Sequence, residues 1–165
     1  MRSMMLAGVM MMLVAAGCAG SSGDPPLPDP AEIETWFDGA ADVSIEGDRI
    51  LIRAEIEPEH LERGGRLWQR ATPYFYLFNV HIRQVLLEHP GVGGVDVVIH
   101  GNRGDLVSRV SLDRATMSIY EWDRAVAYTS RAQREGTQHP RHLSDLIRWA
   151  EDRVDLSEAP ALTAQ

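Results

Sequence analysis

The sequence predicts a single α+β domain in which two β-hairpins, joined by a crossover helix, form a mixed sheet with helices on one face. Three observations carry that expectation. Two stretches alternate apolar and polar residues around glycine-bearing turns, as half-buried hairpins do. The apolar residues between and after them recur at intervals of three and four, the helical period. About 125 of the 165 residues lie between a compositionally distinct start and a patternless end, enough for one independent core. The composition, 44% hydrophobic and 24% charged, is that of an ordinary globular protein.

The elements follow in order. Residues 31–37 (AEIETWF) predict a short helix that packs Trp36 and Phe37 against the body. Val43 and Ile45, the turn Glu46-Gly47-Asp48, and then Ile50, Ile52, Ala54 and Ile56 alternating with Leu51, Arg53, Glu55 and Glu57 predict the first hairpin, closed by Pro58. A helical stretch follows, interrupted at Gly64-Gly65 and again before Pro73. Thr72 then serves as N-cap and Pro73 as first-turn proline. Phe75, Phe78, Ile82, Val85, Leu86 and His89 form its stripe, and Pro90 ends it.

Val95, Val97 and Ile99, the turn 101–105, and Leu106, Val107, Val110 and Leu112 predict the second hairpin. A strand, helix, strand succession implies a right-handed crossover that pairs the two inner strands in parallel. Ser118 and Glu121 fit a capping box that opens a helix with Ile119, Trp122, Val126 and Thr129 on one face, ended by Gly136. A last helix from about Pro140 places Leu143, Leu146, Ile147, Ala150 and Val154 on one stripe. The order is therefore β-β-α-β-β-α-α.

The first 17 residues carry one charge, Arg2, and then an apolar run from Met4 to Gly17. Fourteen residues are too few to cross a bilayer, which takes about 20, but they suit the apolar core of a signal peptide. The run ends at Ala15-Ala16-Gly17-Cys18, and Cys18 is the sole cysteine. This resembles the lipobox of bacterial lipoproteins, with Ala15 standing where Leu is usual. The resemblance implies cleavage before Cys18, a diacylglyceryl group on its thiol, and a further acyl chain such as palmitate on its new amino group. Ala19 after the cysteine resembles the pattern that permits sorting to the outer membrane where a cell has one; otherwise the outer face of the cytoplasmic membrane is implied. Residues 19–30 hold four of the nine prolines and predict an extended tether. The expected organisation is thus signal peptide 1–17, lipidated cysteine and tether 18–30, domain 31–156, and flexible tail 157–165.

All 16 basic residues are Arg, against 24 acids, for a formal charge of -8. That balance argues against nucleic-acid binding, and the lack of Lys removes Schiff-base and P-loop chemistry. No nucleophile elbow, Gly-rich phosphate loop or H-E-x-x-H motif occurs. His139 and His142 are the only close pair among six histidines and lack a third ligand in register, so no metal or cofactor is expected. Arg103-Gly104-Asp105 reads as turn residues.

The segment least explained by folding is Tyr74-Phe75-Tyr76-Leu77-Phe78 with His81 and Arg83, because one side of a helix cannot bury all five. Aromatic residues and Arg are enriched at interface centres. Tyr74, Tyr76, Phe78, His81 and Arg83 are therefore the expected partner-binding residues, unless the C-terminal helices cover that side. The expected function is a membrane-anchored, non-enzymatic binding or assembly module for an envelope protein or glycan. Two alternatives stand beside it: a hydrolase using carboxylates or His81 and His100 in a cleft, and a carrier with a dry cavity beneath Phe75, Phe78 and Trp122.

Overall fold

The structure, a computed structural model, describes residues 26–56, 59 and 65–158. Cys18, the signal segment and most of the predicted tether lie outside them, as does Pro58. Asp29 caps the first helix, α1 (Pro30–Thr35), by accepting a hydrogen bond from the Ala31 amide at 2.9 Å. Ile33 anchors α1 in the core, and Trp36 and Phe37 pack against that core as expected. Pro28 is already buried, so the domain begins a few residues before position 31.

Strands β1 (Ala41–Glu46) and β2 (Arg49–Glu55) form the first hairpin, with Gly47 at φ +65° in the two-residue turn. A left-handed φ costs glycine nothing, which is why the turn carries one. Strand β3 (Gly94–His100) pairs in parallel with β2 and antiparallel with β4 (Leu106–Asp113). The crossover with its parallel inner pair is as the sequence predicts, and the sheet order is β1-β2-β3-β4-β5. The fifth strand, β5 (Asp155–Glu158), was not expected: it pairs antiparallel with β4, taking in Ser157 and Glu158 from the predicted tail. Only Leu156 in that strand is apolar, too little for an alternation to be visible.

The crossover departs from expectation in one respect. Helix α2 (Arg66–Leu77) runs straight through Pro73, and the chain breaks instead at Phe78-Asn79. Thr72 is not a cap; its hydroxyl donates to the Trp68 carbonyl at 2.7 Å. Asn79 is the cap of α3 (Val80–Glu88), accepting from the His81 and Ile82 amides at 3.0 and 2.9 Å. An interior proline costs about 3 kcal/mol, which burial of Tyr74 and Leu77 on the same turn offsets here.

Helix α4 (Ile119–Glu135) opens with the predicted capping box at Ser118 and Glu121. Its buried stripe keeps Trp122 and Thr129 of the predicted one but adds Ala125 and Ala132, while Val126 is half-buried and Ile119, at the first position, is half exposed. Helix α5 (Arg141–Glu151) buries Leu143, Leu146, Ile147 and Ala150, and Val154 is buried just beyond its end. Helix α2 lies on β3 and β4, and α4 and α5 pack on α2 and on each other.

The core lies between this helical layer and one sheet face, formed by Ile50, Ile52, Ala54, Val95, Val97, Ile99, Val110 and Leu112. At its centre the Phe78 ring stacks on Tyr74 at 5.7 Å and meets Trp122 and Trp149 edge-on at 6.0 and 5.6 Å. Those rings occupy the space between Phe78 and Trp122 that the carrier reading requires to be empty.

Phe78→Ala should therefore cost about 3–5 kcal/mol, and Asn79→Ala about 1 kcal/mol, both read from urea midpoints of the purified protein.

Candidate functional site

The five expected partner-binding residues do not form one surface. Tyr74 and Phe78 are fully buried by α4 and α5, so neither is available to a partner. Their burial is the covering by C-terminal helices that the sequence left open as the alternative. Tyr76 is half-buried, and its hydroxyl donates to the Ala40 carbonyl at 3.4 Å. His81 is exposed and stacks on Trp36 with centroids 5.0 Å apart. Arg83 pairs with Asp123 at 3.2 Å.

A different constellation emerges where β2 and β3 end. A cleft of about 540 Å³ opens there, lined by Asp42, Arg53, Glu55, His100 and Tyr76 together with the loop Gly39–Ala41. A second recess of about 330 Å³ shares Ala40, Glu55 and Tyr76 with it and adds Phe37, Trp68 and Phe75. In open sheets with parallel strands, ligands bind beyond the carboxyl ends of those strands, and volumes of this size fit small ligands.

The geometry follows from the fold. The parallel register sets Glu55 opposite His100, so a carboxylate and an imidazole stand side by side at the strand ends. His100 Nδ1 lies 3.2 Å from the Gly104 carbonyl, which can only accept, so that nitrogen donates to it and Nε2 is the ring atom left for another partner. Arg53 is held on its own strand pair by Ser44 and Glu46, each at 3.0 Å. Asp38 and Gly39 both adopt left-handed backbone, at φ +51° and +77°, in the loop that forms the cleft wall. Phe37 packs on Tyr76 at 5.5 Å and Trp68 on Phe75 at 5.7 Å, which makes one end of the combined cleft aromatic and the other polar.

The sheet face away from the helices holds an ion network at the opposite end of the same strands. Asp96 is only 6% exposed, although it points away from the core. Arg49 donates to it at 2.8 and 3.4 Å, Ser111 donates as well, and Arg109 stands 3.6 Å away. Arg49 also reaches Asp113 at 2.6 Å by crossing Gly94, where a Cβ would meet the Leu112 carbonyl at 2.6 Å. Burial pushes the Asp96 carboxyl up, but the hydrogen bonds from Arg49 and Ser111 and the charges of Arg49 and Arg109 outweigh it. The net effect leaves Asp96 below the usual carboxylate range. The same contact with Asp96 holds the Arg49 guanidinium above its usual value.

The remaining sequence candidates are scattered. His142 pairs with Glu135 at 3.0 Å, and its ring meets His139 edge-on at 5.7 Å. Among the described residues no three His, Cys, Asp or Glu side chains are placed to hold a metal ion. Arg103-Gly104-Asp105 lies in the β3–β4 turn, closed by the Gly101 amide donating to the Asp105 carbonyl at 2.8 Å. Sequence reading missed Asp42 and Asp96, and it placed Glu55 only among the alternating residues of the first hairpin. Only the register of the two hairpins could have brought Glu55 and His100 together. No family model, curated protein or solved structure matches this chain.

Because Asp96 binds its proton at lower pH in the folded chain than in the unfolded one, its contribution is present at neutral pH and lost as pH falls through its folded value. Asp96→Asn should cost about 2 kcal/mol at pH 7. The gap from the parent protein should begin to close below about pH 4, near the unfolded carboxylate value, as read by urea melts across pH 3–7.

Proposed function

We propose that this chain is a membrane-anchored envelope lipoprotein, held by lipid on Cys18, whose domain is a non-enzymatic binding or assembly module for another envelope component. The observation that carries the reading is the cleft beyond β2 and β3, which sets carboxylates, an imidazole and a guanidinium beside aromatic rings at one accessible place. Polar groups that fix orientation next to apolar surface are what recognition of an envelope protein or glycan requires. Among the described residues no helix is long and apolar enough to cross a membrane.

One observation favours a second reading. Glu55 opposite His100 is a carboxylate beside an imidazole, the minimum for general acid and base work on a bound ester or glycoside. His81, the other histidine of that expectation, is not among the residues that line the cleft; it stacks on Trp36.

Labelling of growing cells with a palmitate analogue should mark the protein, and Cys18→Ser should abolish the label and release the chain from membranes. A benzophenone amino acid at position 76 should cross-link a discrete envelope component, whereas the same group at position 148 on exposed α5 should not. Turnover of envelope glycan or peptide by the purified protein, lost in Glu55→Gln, would replace the binding reading with the second one.

A further inference from the structure

Helix α4 divides its charges by pairing, with every acid engaged and every arginine free. Its three acids are each engaged by another group: Glu121 by Arg153 at 3.3 Å and by Ser118, Asp123 by Arg83 at 3.2 Å, and Glu135 by His142 at 3.0 Å. Its three arginines, Arg124, Arg131 and Arg134, are exposed and make no ion pair or hydrogen bond. Among the described residues only one other arginine, Arg103, is equally free; each of the rest has at least one partner.

At 100° per residue Arg124 and Arg131 point the same way, with Ala127 and Tyr128 on either side of that line and Arg134 at its edge. Arg124, Ala127, Tyr128 and Arg131 line a shallow groove of about 250 Å³. Tyr120, one turn before Arg124 on the same arc, is 79% exposed, and Ile119 beside it is half exposed. In a chain of net charge -8, this face aligns two unpaired guanidiniums with an exposed tyrosine at one end, and the one acid on the same line, Glu135, is paired with His142.

We propose that this face of α4 docks on the phosphate-bearing headgroups of an anionic bilayer. Unpaired guanidiniums give up no partner when they meet phosphate, and Arg binds phosphate with paired donors. Tyrosine and short aliphatic side chains settle at the headgroup level. The proposal relies on the Cys18 anchor only to bring the domain to the bilayer, from which the chain between Cys18 and Pro26 can reach roughly 25 Å. Docking would fix which way the tethered domain and its cleft face.

The test uses the full lipidated chain, purified and reconstituted in vesicles. Ala127→Cys gives one reactive thiol when Cys18 carries lipid, and an environment-sensitive fluorophore is attached there. Vesicles containing phosphatidylglycerol should shift its emission to the blue and expose it to nitroxide-lipid quenching; vesicles of phosphatidylcholine alone should not, and 0.5 M salt should reverse the shift. Arg124→Gln with Arg131→Gln should lower the docked-to-free ratio by about 25-fold, at about fivefold per arginine near an anionic surface. Equal emission in both vesicle types, or an unchanged response in the double variant, overturns the proposal. A shift induced only by a soluble polyanion such as heparin also overturns it, in favour of an acidic polymer as occupant. Failure of the anchoring reading is seen separately: the chain then takes two labels, one on Cys18, and leaves the zwitterionic vesicles.

Discussion

Phe78 holds the helical layer together. Its ring lies against Tyr74 of α2, Trp122 of α4 and Trp149 of α5, and it occupies the position where the crossover breaks between α2 and α3. A residue at such a break is free of the helical ladder on its C-terminal side, so its side chain can turn toward elements that a continuous helix would point away from. Three aromatic contacts beyond simple area burial are each worth about 0.5–1.5 kcal/mol. Asn79 makes the break tolerable by satisfying two amides at the start of α3. Phe78 thus gives α4 and α5 a common anchor on the crossover, whose helix α2 covers β3 and β4.

Placing all helices on one side has two consequences. The other sheet face stays polar and must satisfy its own charges, which it does through Asp96, held by Arg49 and Ser111 and flanked by Arg109. A nearly buried carboxylate is tolerable there because guanidinium groups replace the water it loses. The carboxyl ends of β2 and β3 also stay accessible, with the Gly39–Ala41 loop and Tyr76 as walls. The ion network and the cleft thus sit at opposite ends of the same two strands, one fixing the register and the other using it.

The hairpins were legible in the sequence because one face of each strand is buried and the other is solvated, which writes a period of two. The parallel inner pair followed from chain topology alone. Strand β5 was not legible, since DLSE carries a single apolar residue and pairs because β4 offers a free edge. Pro73 misled for a physical reason: proline is favoured at a helix start, but burial of its neighbours Tyr74 and Leu77 and the cap at Asn79 outweighed that preference. The aromatic run was rightly judged too large for one face. Tyr74 and Phe78 are absorbed by α4 and α5, whereas Phe75 and Tyr76 pack on Trp68 and Phe37 and line the cleft, a distinction that depends on where those helices dock. Asp42, Glu55, Tyr76 and His100 are far apart in sequence and share no motif, so only tertiary structure shows that they line one cleft.

What the molecule offers, then, is a rigid two-layer body with a mixed aromatic and polar cleft at the carboxyl ends of its parallel strands. The proposed role requires that this cleft bind an envelope component without transforming it. Methyl and amide NMR spectra of the protein, recorded while fractionated envelope glycans and peptides are added, test this. Saturable shifts should be confined to residues 39–42, 53–56, Tyr76 and His100, with the added component recovered intact. Shifts that cluster elsewhere, or chemical conversion of the component during the titration, would contradict it.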